Sequence, residues 1–245
     1  MRPSALLFSR YRAFREEVRL ELAPLTIIIG KNGGGKSVLT RLPLLLGGGL
    51  APDSGEPINL TAGGIAHAAR YEDIVHQRSA QPFMLGLEAT DGTDVWAFKS
   101  TLRFIVERHG LGFESFELTE NGAPRIALSA ASPEDIGKDG GEFNLKTNGD
   151  EPTTVKNVKW SGLFPTSFEG SADASEVLAS ARVRFQKSLG TPAYLGPFRT
   201  ENGWTGRVPK QGIRTLGPRG EGSLDLLGAN AMRGTGELIA LVADW

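Results

Sequence analysis

The chain has 245 residues, 40% of them hydrophobic and 22% charged, which excludes disorder or a collagen-like repeat and leaves room for one large domain or two small ones. Its 27 basic and 28 acidic side chains give a formal charge of −1, so there is no global basic field to recruit nucleic acid or an anionic membrane. Cysteine is absent, which excludes disulfides, thiolate metal sites and a cysteine nucleophile and fits a reducing, cytoplasmic setting.

The opening MRPSALLFSRYRAFREEVRL has an apolar run too short for a signal peptide, and no stretch is long and apolar enough to predict a membrane span. Residues 4–8 and 18–29 read as strands, with Pro24 dividing the second run. Its latter piece, Leu25 to Ile29, is apolar on both faces, the pattern of a strand buried on both sides in a mostly parallel sheet. After GKNGGGKS, the segment VLTRLPLLL starts as a helix, with a kink or stop expected near residue 42 because of Pro43. Residues 47–66 read as a loop. From 82 to about 160, alternating runs separated by DGT, HGLG, NGA and SPEDIGKDGG predict an antiparallel meander. A helix follows over Ser171 to Leu189, with Ser175 as its N-cap and Gly190 closing it. PAYLG (192–196) reads as a short strand, the next stretch as a long loop, and GELIALVADW as helical. Charge is segregated: residues 88–151 hold 13 acidic and 6 basic side chains (net −7), and residues 182–219 hold 8 basic and 1 acidic (net +7).

GKNGGGKS, Gly30 to Ser37, satisfies G-x-x-x-x-G-K-[ST] fully. Such a loop wraps a β-phosphate in backbone N–H groups, and glycines remove the Cβ atoms that would block the approach. Here Gly33, Gly34 and Gly35 supply that access, Lys36 reaches the β- and γ-phosphates, and Ser37 ligates Mg²⁺. The dipole of the following helix adds positive potential from Val38 onward. The ligand this predicts is a nucleoside triphosphate with magnesium. His67, His76 and His109 are scattered and do not suggest a metal site.

The opening strand, RYRAF (10–14), LAPLTIIIGKNGGGKSVL, YEDIVH (71–76) and YLGPFR (194–199) together resemble the ATPase heads of the ABC class. The resemblance is to the soluble AAA-type branch related to RecF, the OLD-family nucleases and the structural-maintenance-of-chromosomes proteins. It implies an α/β P-loop NTPase with a parallel core, an antiparallel β-subdomain and a helical segment. By position these are a P-loop core over 1–46, a β insert over 47–160, and a helix, strand and basic loop over 161–245. It implies ATP and Mg²⁺ as cofactors. By resemblance Arg12 approaches the phosphates, and Gln77 touches Mg²⁺ and the attacking water, placing it with Lys36 in the catalytic set and with Ser37 at the metal. Arg12 could equally be a solvated strand-end arginine, Gln77 a polar loop residue, and Arg199 either a phosphate contact or an ion-pair partner. Asn32 orients the γ-phosphate or holds the turn.

A signature motif, a Walker B strand ending in Asp-Glu and a switch histidine are not found in order. LIALVAD ends at Asp244, but Trp245 stands where the catalytic glutamate belongs. The expectation is therefore the N-terminal portion of a longer or split ATPase, binding ATP and hydrolysing it poorly on its own. The leading function is an ATP-driven head that dimerises on ATP and drives a DNA-acting or nuclease partner in DNA repair or anti-phage defence, with DNA reached through 182–219. A nucleotide-gated structural or sensor subunit without hydrolysis is the alternative, and a small-molecule kinase a weaker one.

Overall fold

The computed structural model describes residues 1–52, 54–138, 140–148, 151–196, 216–234 and 240. It divides into two compact units, one of Met1–Ala62 with Ala66–Pro192, the other of Gly63–Ile65 with Ala193–Trp245. The first unit opens with a hairpin of β1 (Arg2–Ser9) and β2 (Val18–Glu21), in register Leu6↔Leu20. Helix α1 (Lys36–Leu50) follows, and β3 (Phe83–Asp91) then returns antiparallel to the free side of β1, with Leu6 opposite Leu87. From there the chain is a meander: β4 (Asp94–Ile105), β5 (Gly110–Glu120), β6 (Ala123–Ala130), β7 (Phe143–Thr147), β8 (Thr153–Ser161) and β9 (Phe164–Glu169). The nine strands form one sheet in the order β2-β1-β3-β4-β5-β6-β7-β8-β9, every pair antiparallel.

Period-two alternation places this sheet's core. On β4, Trp96, Phe98, Ser100 and Leu102 are buried and their neighbours are not; Phe116 and Leu118 on β5 and Ile126 and Leu128 on β6 continue the same face. Helix α2 (Ala172–Leu189) closes over it with Ala174, Leu178, Ala181 and Phe185 inward. Phe98 meets Phe164 of β9 edge to face at 4.8 Å and Phe185 of α2 at 4.9 Å, which joins the sheet to the helix. The cap of α2 is Ser171, accepting from the Ala174 N–H, and Ser175 lies within the first turn, donating its hydroxyl to the Ser171 carbonyl. In the second unit α3 spans Ser223–Arg233. Among the described residues no helix is long and apolar enough to cross a membrane.

This architecture overturns the expected α/β fold with a parallel core. A parallel pair needs a crossover of a dozen or more residues. The meander instead uses tight turns: Gly92 (φ +63°) between β3 and β4, and Asn121–Gly122 (φ +51° and +78°) between β5 and β6. The longest connection within the sheet, from β2 through α1 to β3, leads back to β1 in antiparallel sense, and the twelve residues between β6 and β7 also join antiparallel strands. Leu25–Ile29 therefore has no parallel neighbour among the described residues and is no strand; Leu25, Ile27 and Ile29 are 77, 75 and 87% exposed. PAYLG forms no strand either.

Helix α1 runs through Pro43 to Leu50 without stopping, because burial of Leu42, Leu44, Leu45 and Leu46 offsets the lost hydrogen bond. The glycines at 47–49 are thus helical, and they act in packing rather than in a loop. A Cβ on Gly49 would stand 2.7 Å from Leu163 Cγ, and the Gly49 carbonyl accepts from the Leu163 N–H at 2.7 Å. The helix can lie on the β8–β9 turn only where the side chain is missing. The terminal GELIALVADW segment, save Ala240, lies outside the described residues, as do Arg199 and the basic loop around it.

Candidate phosphate-binding loop

The loop Gly30–Ser37 runs directly into α1. Gly33 and Gly35 take positive φ (+82° and +89°), and the Gly34 N–H closes a turn on the Lys31 carbonyl at 3.1 Å. Gly35 is the helix N-cap in left-handed geometry, with no side-chain cap, and the first turn of α1 carries no acidic residue. The Val38 and Leu39 N–H groups both reach the Gly35 carbonyl, whereas no described hydrogen bond uses the Lys36 or Ser37 N–H. Lys36 folds back over the loop, donating from Nζ to the Gly30 and Lys31 carbonyls at 2.7 Å each. Asn32 and Ser37 are exposed. Between Glu21 and Asp53 the chain carries Lys31, Lys36 and Arg41 and no acidic side chain, so this stretch itself is net positive.

RYRAF lies against this loop. A Cβ on Gly35 would meet the Phe14 ring at 2.9 Å and Ala13 Cβ at 3.5 Å, and Phe14 is itself held edge to face on Phe8 of β1 at 5.2 Å. Tyr11 bridges Val75, the Arg12 N–H donates to the Ile74 carbonyl, and the His76 N–H to the Arg10 carbonyl. One five-residue step therefore joins the glycine loop to the segment 71–78. Within it Arg12, at φ +55°, donates from its guanidinium to the Asp73 carbonyl at 2.9 Å and to the His67 carbonyl. Its side chain fastens backbone from a half-buried position, with two of its five guanidinium N–H groups on carbonyls.

Gln77 sits exposed at φ +55° in a short 3₁₀ turn, beside the Asp73–Arg78 ion pair at 2.7 Å. No hydrogen bond joins it to Ser37 among the described residues. Gly33, Gly34, Gly35, Lys36, Ser37 and Val38 are thus brought together by chain continuity, and Arg12 by the packing of Phe14. The members that motif reading passed over are Phe14, Tyr11, His67 and Arg41. Burial pushes the Tyr11 hydroxyl up to about 12, against the opposing charges of Arg12 and Arg41. Burial also lowers the His67 imidazole, aided by the same two arginines and opposed by the Ala62 carbonyl that its Nε2 contacts at 3.0 Å. The spacing Tyr-x-x-Phe in RYRAF was the available signal for Phe14; nothing local marks Arg41.

Of the basic residues in 182–219, Arg182 donates to the Ala51 carbonyl and the Ser161 hydroxyl, and Arg184 lies 5.3 Å over the Trp96 ring. Both fold onto their own unit. Among the described residues no cluster of three or more His, Asp or Glu could hold a metal ion.

No protein-family model matches the chain, and no curated protein matches it. With the antiparallel sheet, this removes the resemblance to the ABC-class ATPase heads: the phosphate-loop pattern is present, but the parallel core on which that class carries it is not.

Proposed function

We propose that this protein binds a nucleoside triphosphate, ATP with Mg²⁺, on the loop Gly30–Ser37, and that binding rather than rapid turnover is its contribution. The observation that carries this reading is Lys36. Its ammonium is held by two loop carbonyls beside a helix start whose Lys36 and Ser37 N–H groups have no described acceptor. A phosphate oxygen supplies that acceptor and a stronger, charge-assisted partner for the ammonium than a neutral carbonyl. Gly33 has open space where a side chain would stand, and the exposed Ser37 hydroxyl suits a Mg²⁺ ion, which supplies charge neutralisation on the phosphates. The residues present fit the group. No described hydrogen bond brings a carboxylate to the loop, which favours a nucleotide-gated subunit over a fast hydrolase. A cytoplasmic setting suits both the ligand and the cysteine-free composition.

Titration calorimetry with Mg²⁺-ATP tests the reading. Saturable binding is expected, weakened roughly tenfold or more by Lys36→Ala, the loss of one charge-assisted contact. Absence of binding at millimolar nucleotide would refute it, and turnover near the roughly 10 s⁻¹ of ordinary enzymes would refute the binding-only role.

A further inference from the structure

The sequence holds four Asn–Gly pairs, at Asn32, Asn121, Asn148 and Asn202. In such a pair the glycine nitrogen can attack the asparagine side-chain amide carbon, because no Cβ on the second residue obstructs the approach. The reaction needs an asparagine side chain free to turn toward the chain and a following N–H that is not already engaged. The fold separates the pairs on these requirements. Asn121 is held: its Oδ1 accepts from the Val95 N–H at 2.8 Å, and its Nδ2 donates to Asp94 at 3.3 Å. Asn148, with its amide turned to satisfy both neighbours, donates to the Pro124 carbonyl at 3.0 Å and accepts from Arg125 at 3.1 Å. Asn202 lies outside the described residues.

Asn32 is exposed, and its side chain makes no hydrogen bond among the described residues. The Gly33 N–H is equally unengaged there: the turn closes across it, from the Gly34 N–H to the Lys31 carbonyl, and the space where a Gly33 side chain would stand is open. Positive charge close by favours an anionic nucleophile, since Lys31 precedes Asn32 and the Lys36 ammonium rests on the Lys31 carbonyl.

We propose that Asn32–Gly33 is a site of spontaneous deamidation within the glycine loop. Solvent hydroxide removes the Gly33 N–H proton, and the nitrogen bonds to Asn32 Cγ. The Cγ–Nδ2 bond then breaks, and ammonia leaves with a proton from water, giving a five-membered succinimide. Water opens this ring at either carbonyl. Cleavage between Cγ and the nitrogen leaves aspartate at position 32; cleavage between the backbone carbonyl carbon and the nitrogen leaves an isoaspartyl link, with one more methylene in the chain. Either product sets a carboxylate in a stretch, Leu22 to Pro52, that carries none. On the nucleotide reading above, on which this consequence alone rests, that charge repels the phosphates and disables the loop as the molecule ages.

Peptide mapping by mass spectrometry, on the full chain held in mildly alkaline buffer, follows each site natively and in urea. In urea Asn32 and Asn121 should convert at like rates, since both precede glycine. In the folded chain Asn32 should keep nearly its urea rate, whereas Asn121 should slow roughly tenfold or more because its side-chain hydrogen bonds must open first. Native conversion slowed as much at Asn32 as at Asn121 would overturn the proposal, and so would native reaction at Asn121 ahead of Asn32. Asn32→Asp supplies the product charge directly and should weaken Mg²⁺-ATP binding roughly tenfold in calorimetry, the scale of one charged contact. Equal affinity would overturn the disabling effect. A parent chain that binds no nucleotide would sink the binding reading alone, while the mapping still decides the modification.

Discussion

Replacing Gly35 by alanine probes the joint between the glycine loop and RYRAF. Two penalties add. At φ +89° a Cβ costs about 1–2 kcal/mol in the left-handed region. The new methyl would also stand 2.9 Å from two carbons of the Phe14 ring, which is braced on Phe8, and overpacking of that kind costs about 1–3 kcal/mol. Gly35→Ala alone should therefore lose ~2–5 kcal/mol in urea unfolding. In a Phe14→Leu background the clash is relieved and only the backbone penalty remains, so the double variant should be more stable than additivity by ~1–3 kcal/mol. The measurement is a double-mutant cycle from denaturation curves with matched m-values. Additivity within ~0.5 kcal/mol would show that Phe14 does not press on the loop, and the link between RYRAF and Gly30–Ser37 would fall.

Two further outcomes check other parts of the structure. His67 titrates lower in the folded protein than the 6.5 of a free imidazole, so below pH 6.5 the unfolded chain binds a proton that the folded chain refuses. Stability should then fall as the pH drops from 6.5 toward the folded value and level off beneath it; a His67→Gln chain with an undiminished slope over that window would contradict the assignment. Ser100 is fully buried and its hydroxyl donates to the Leu163 carbonyl at 2.6 Å, so Ser100→Ala should cost about 1–3 kcal/mol by orphaning that carbonyl. A loss too small to resolve by thermal unfolding would mean the tie from β4 to the β8–β9 turn does not contribute to stability.

The local features were legible from residue order because their causes are local. Asn121–Gly122 can take the two positive φ values of a tight hairpin wherever it occurs, and the inward period of Trp96, Phe98, Ser100 and Leu102 follows from the pleat alone. The apolar spacing of Leu178, Ala181 and Phe185 marks α2 for the same reason, although its cap proved to be Ser171 rather than Ser175. The glycine pattern of Gly30–Ser37, with the helix that begins at Lys36, was equally readable.

What residue order did not contain was which neighbour each apolar face would find. Leu25–Ile29 has the composition of a doubly buried strand, but composition states only a demand for partners, and the chain brings β3 to β1 instead, so that among the described residues the segment pairs with no strand. The glycines at 47–49 read as a loop because glycine is usually conformational in its effect; here the contact with Leu163, distant in sequence, is the reason for at least one of them. That Arg12 reaches the carbonyls of His67 and Asp73 was likewise invisible in residue order. By itself the amino-acid sequence determined the tight turns of the meander, its strand faces, the body of α2 and a loop pattern suited to phosphate. Tertiary structure alone decided that the sheet is antiparallel throughout, that Phe14 braces the loop, and that Leu25–Ile29 is no strand, because strand pairing depends on which backbone edges meet and not on the residues of either edge taken alone.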